Sequence, residues 1–144
     1  MKVERDIEIA ASPEDVYDLI ADPDRLGEWV TIHQYVDGKA PDELVKGARM
    51  AQCLKLAGRS FKVKWTVVES DRPRLLTWEG RGPLRSKAKV VNTLTPTDNG
   101  TLFSYLNEYS LPGGPLGNMA GPVVRRVTAG EVEGTLQKLK ELLE

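Results

Sequence analysis

The alternating run from Lys2 to Ala10 passes directly into Ser12-Pro13-Glu14-Asp15-Val16-Tyr17, and this junction constrains the chain more than any other feature. Val3, Ile7 and Ile9 alternate with Glu4, Asp6 and Glu8, which predicts a strand with one dry and one wet face. Ser12 then reads as a helix N-cap, with Pro13 at the first helical position and Asp15 where a capping box carries its acid. Val16, Leu19 and Ile20 give that helix a buried stripe. Asp22-Pro23 repeats the cap-and-proline start, so a second short helix follows and ends near Trp29.

From Thr31 to Leu111 the period becomes two. Phe61-Val63-Trp65-Val67 alternates with Lys62, Lys64 and Thr66. Met50 to Leu56, Leu75 to Gly80, Ser86 to Leu94 and Leu102 to Leu111 are further strands. Asp37-Gly38, Ala57-Gly58, Asp71-Arg72-Pro73, Gly82-Pro83 and Pro96-Thr97-Asp98-Asn99-Gly100 separate them. Links this short favour antiparallel hairpins over helical crossovers.

After Leu111-Pro112-Gly113-Gly114-Pro115 the pattern turns helical. Leu116, Met119, Ala120, Val123, Val124 and Val127 make one stripe, and Val132, Leu136, Leu139, Leu142 and Leu143 a second, rotated one. Pro122 should kink or restart the helix. Gly117, Gly121, Gly130 and Gly134 each cost about 1 kcal/mol against Ala, so they imply close packing or open space. The expectation is a single domain over residues 1–144: an α+β fold with about seven antiparallel strands curved around one long C-terminal helix, and two short helices after the first strand. Such an arrangement leaves a cavity between sheet and helix, walled by the first half of the long helix and reached near Trp29 and the Pro112 hinge.

The chain carries 20 Lys and Arg against 21 Asp and Glu, so no basic excess exists to neutralise nucleic-acid phosphates. No apolar run approaches the roughly 18 residues of a membrane span, so stable membrane insertion is not expected. One cysteine, Cys53, cannot close an internal disulfide and fits a reducing, cytoplasmic location. One His and one Cys twenty residues apart make no metal signature, and no phosphate-cradling glycine motif is present. No metal or cofactor is therefore expected.

Ile9 to Pro23 followed by Trp29, with Leu102 to Gly117 and Leu136-Leu139-Leu142 at the other end, resembles the START-like, polyketide cyclase/dehydrase superfamily. The likeness runs over the whole chain. It implies the helix-grip fold and an elongated, mostly apolar cavity. It also implies binding of a small hydrophobic or amphipathic molecule, such as a lipid, polyketide or quinone-like compound. Fold alone does not fix activity.

Strand phase suggests the contacts: Trp29, Leu54, Trp65, Trp78, Asn92, Tyr105, Asn107, Met119 and Val123. The aromatics bring apolar area with a polar tip, though an ordinary core also needs large residues. Asn92 and Asn107, among inward apolar neighbours, need partners that a ligand would supply; Gln52 between Met50 and Leu54 poses the same question. An alternative reading is a cyclase or dehydratase acting on a poly-keto chain. His33, the only histidine, and Tyr105 are its catalytic candidates, with Asn107 as a further donor. A third reading is a protein-interaction module, and a homodimer is one arrangement open to the chain. Glu79 and Glu108 read more simply as wet-face carboxylates than as an acid/base pair. Lys62, Lys64, Arg81, Arg85, Lys87 and Lys89, on outer faces of neighbouring strands, could dock an acidic partner or a membrane surface, but nearby acids argue for an ordinary solvated face.

Overall fold

A computed structural model of the chain describes the backbone of residues 2–110 and 115–144, and the side chains over 2–110, at 123 and over 125–144. The elements run β1 (Lys2–Ile9), α1 (Pro13–Ile20), a 3-10 turn (Pro23–Arg25), α2 (Leu26–Trp29), β2 (His33–Asp37), β3 (Arg49–Leu56) and β4 (Arg59–Asp71). There follow β5 (Leu75–Arg81), a 3-10 turn (Pro83–Arg85), β6 (Lys87–Thr97), β7 (Gly100–Ser110) and α3 (Pro115–Leu143). The seven strands form one antiparallel sheet in the order β1-β7-β6-β5-β4-β3-β2. With α3 packed over one face, this is the helix-grip arrangement.

Local chemistry sets the boundaries. The Ser12 hydroxyl accepts from the Asp15 amide at 3.2 Å, and the Asp22 carboxylate accepts from the Asp24 amide at 3.0 Å. Pro23 follows its cap as expected, but that cap starts a 3-10 turn that runs into α2 rather than a full helix. Gly100 lets β7 turn back under β1. A Cβ there would lie 2.2 Å from the Ile9 carbonyl oxygen, and φ is +151°. Thr101 beside it donates to the Ala11 carbonyl at 2.8 Å and ties β7 to the β1–α1 junction.

One end of the interior is aliphatic. Ile9, Leu19, Ile20, Leu94, Phe103 and Leu139 are almost wholly buried. Val132, Leu136 and Leu139 of α3 press on this floor, while Leu142 is partly exposed. A polar clasp joins α2 to α3: the Thr31 amide donates to the Thr135 hydroxyl at 3.1 Å, and the Thr31 hydroxyl meets the Glu131 carboxylate. A Cβ at Gly134 would meet the Thr31 methyl in ordinary contact at 3.4 Å, and at Gly130 the space is open, so close packing demands neither glycine. Pro122 lies inside a single continuous helix, which therefore does not restart there. The hinge expected around Pro112 and the Met119 side chain lie outside the described residues.

Candidate functional site

The register brings most of the expected contacts onto one face. Asn107, Val90, Trp78 and Val67 are successive cross-strand partners, Tyr105, Asn92 and Leu76 form the next row, and Tyr109, Ala88, Gly80, Trp65 and Met50 the row on the other side. Trp65, Trp78, Asn92, Tyr105 and Asn107 therefore share the inner surface. Leu54 continues it on β3, buried beside His33. Trp29 is fully buried on α2. Val123 is 67% exposed and lies outside this wall.

Gly80 makes the wall possible. A Cβ at that position would fall 2.6 Å from both Trp65 Cε3 and Val63 Cγ1. The indole thus lies across bare backbone, and it meets Trp78 in a tilted arrangement with centroids 6.3 Å apart. Trp65 Nε1 donates to Gln52 Oε1 at 2.9 Å, and Gln52 Nε2 lies 2.8 Å from His33 Nδ1. The direction of this chain is forced. An indole nitrogen can only donate, so Gln52 receives on its oxygen and offers its amide hydrogens to His33. His33 Nδ1 must accept, which makes the ring neutral with its proton on Nε2. Burial also pushes His33 below its ordinary pKa.

Tyr105, a candidate donor to a carbonyl, is buried on this inner face. Burial pushes its phenol up to about 12, so near neutrality it is a hydrogen-bond donor that stays protonated. Asn92 donates to the Leu76 carbonyl at 2.9 Å, and its Oδ1 is buried with no partner among the described residues. Trp29 Nε1 is likewise buried and unpaired among them. Tyr109 shares a hydrogen bond with Thr128 of α3 at 3.1 Å.

Gln52 and Gly80 are two wall residues outside the expected set that shape this surface. Gln52 carried a signal, its position between Met50 and Leu54. Gly80 carried none, because nothing local shows that Trp65, its pairing partner on the neighbouring strand, lies across it. Glu79 and Glu108 sit on the outer face, each opposite Lys89, which suits the wet-face reading. Cys53 is buried on that outer side, with its thiol 3.4 Å from Gln34 Oε1. Among the described residues no group of three or more His, Cys, Asp or Glu side chains could hold a metal ion.

A curved antiparallel sheet gripping one long helix, with aromatic and amide side chains on the inner face, defines the helix-grip class of ligand-binding domains. The chain belongs to the polyketide cyclase/dehydrase and lipid transport family, whose model it matches over residues 1–144. It is 30% identical over 140 residues to the uncharacterized protein Rv1546 of Mycobacterium tuberculosis, covering 97% of this chain and 96% of that one. It is 27% identical over 136 residues to the toxin Rv0910 of the same organism, covering 94% and 93%. Among solved structures it is similar to TTHA0849 from Thermus thermophilus, with a TM-score of 0.79 and 20% identity over 98% of this chain and 95% of that one.

Proposed function

We propose that the protein binds a small hydrophobic or amphipathic molecule between the inner face of the sheet and α3. One observation carries this reading: two buried polar atoms of the interior, Trp29 Nε1 and Asn92 Oδ1, have no protein partner among the described residues. Leaving such an atom unpaired costs about 1–3 kcal/mol, a deficit that a ligand hydroxyl or carbonyl would remove. Trp65 and Trp78 offer apolar area, Tyr105 and Asn107 offer polar tips, and Leu54 closes the β3 side. On α3, Met119 and Val123 complete the proposed set, with Val123 as a rim contact because it is exposed. Apolar burial would supply the affinity, at about 25 cal/mol per Å² before the costs of association, and the amides would fix orientation. A lone buried thiol fits a cytoplasmic location for this activity.

The test is to purify the untagged protein and compare its native and denaturing mass spectra. A mass excess that disappears on denaturation, and an extractable apolar compound, is the expected result. A bare mass, together with no thermal shift against a panel of lipids and poly-keto compounds, would overturn the reading.

A further inference from the structure

The cationic side chains of the outer face look balanced by acids when read along the chain, and the register shows that three of them are not. Ala51, Lys64, Arg81, Lys87 and Ser110 are successive cross-strand partners. Lys64, Arg81 and Lys87 therefore stand side by side on adjacent strands with no carboxylate in their row. Directly opposed like charges destabilise a sheet. None of the three forms an ion pair among the described residues, whereas Lys62 nearby is held by Asp37 at 3.2 Å. Glu79 and Glu108 belong to the neighbouring row, where both flank Lys89.

This row borders a cleft of about 850 Å³ whose charged lining, among the described residues, is Lys39, Arg49, Lys64, Arg81, Lys87 and Lys89 against Glu79 and Glu108. The whole inner row of Met50, Trp65, Gly80, Ala88 and Tyr109 also borders it, between the two outer rows, whereas Trp78, Val90 and Asn107 deeper in the fold do not, so the cleft lies at this end of the sheet. A chain of net charge −1 thus sets six of its 20 Lys and Arg side chains around one cleft.

A second, independent feature lies at the same end. The β5–β6 connection puts Leu84 at its tip with 81% exposure, the most exposed large apolar side chain among the described residues. Leu84 and Arg85 both hold positive φ, 56° and 63°, a region that bulky residues avoid. The turn keeps this form through its own bonds: the Gly82 amide donates to the Ser86 carbonyl at 3.0 Å, and the Ser86 amide and hydroxyl donate to the Pro83 carbonyl at 3.1 and 2.8 Å. An apolar residue is thus held outward between Arg81, Arg85 and Lys87. Nucleic acid would use the cations and leave Leu84 in water, whereas a lipid interface uses both.

We propose that this end of the sheet docks reversibly on an anionic phospholipid surface. Leu84 enters the interfacial layer, and Lys64, Arg81, Arg85 and Lys87 face the headgroup phosphates. Basic side chains near such a surface each add attraction that salt weakens. The inference is independent of the internal ligand, because docking can be measured whether or not the protein carries one.

Co-sedimentation with phosphatidylcholine vesicles, with and without phosphatidylglycerol, tests it. The protein should prefer the anionic vesicles and release as salt rises from about 0.1 M to about 0.5 M. Arg81→Gln with Lys87→Gln should weaken partitioning roughly thirtyfold. Leu84→Ser should weaken it several-fold while the circular-dichroism melt stays that of the wild type. Equal partitioning on neutral and anionic vesicles, or an unaffected double variant, would overturn the proposal. So would micromolar binding of inorganic pyrophosphate without vesicles, which would make this a site for free phosphate compounds.

Discussion

The two halves of the inner wall are built by different rules. Around β1, β7 and the C-terminal half of α3, the filling is mainly aliphatic, with the Phe103 and Tyr105 rings 6.1 Å apart, and Ile9, Phe103 and Leu139 expose nothing. Toward β3, β4 and β5 the buried Val67 and Leu76 are joined by Met50, Trp65, Trp78 and Leu54, each with 6–9% still accessible, and the wall is crossed by the Trp65–Gln52–His33 chain. The first half is held by close contact and is insensitive to solution chemistry. The second is held by directional bonds and a glycine-shaped gap, so its form depends on hydrogen-bond direction and on protonation. A helix-grip domain can thus keep a rigid floor while reserving the opposite wall for recognition.

Mutations should expose that contrast. Phe103→Ala removes the fully buried ring of the mainly aliphatic half and should cost about 3–5 kcal/mol in denaturant unfolding. An effect below about 1 kcal/mol would mean that the floor is not close-packed. Gly80→Ala should cost about 1–3 kcal/mol, since the new methyl group must push Trp65 off the strand. Near-ultraviolet circular dichroism should change with it, because the Trp65–Trp78 pair would shift. An unchanged tryptophan signal would refute the geometry of that wall.

The smallest effect should come from pH. Because the folded pKa of His33 lies below its ordinary 6.5, its contribution is fully present above that value. It fades as pH falls through the lowered folded value, where protonation gives Nδ1 a hydrogen and breaks its bond from Gln52. Wild type minus His33→Gln stability should therefore decline across this acidic window. Nitrogen-15 chemical shifts at neutral pH should show the proton on Nε2; a proton on Nδ1 would contradict the relay.

Much of the fold was legible because it rests on local rules. The caps at Ser12 and Asp22 and the alternation in Phe61–Val67 announce their elements without help from distant residues. The shared inward face of Trp65, Trp78, Asn92 and Tyr105 follows from the same period. What stayed hidden depends on register. Lys64, Arg81 and Lys87 lie far enough apart in sequence that only strand pairing reveals them as neighbours, and Glu79, close to Arg81 in the chain, falls in another row. The phase of β2 was hidden for a related reason. An irregularity at Gln34 lets His33 pair with Leu54 while Tyr35 pairs with Cys53, so residues two apart face opposite sides.

That irregularity also bears on how copies of the protein coexist at high concentration. β2 is a terminal strand of the sheet, and an exposed row of backbone donors and acceptors invites another chain to add itself. Here the row is only five residues long, is broken at Gln34 and ends on the charged Asp37. The Gln34 side chain is turned back to Ser60 and Cys53 instead of lying flat along the margin. The distortion that aims His33 inward thus denies an incoming strand a regular template and favours solubility over fibrous assembly.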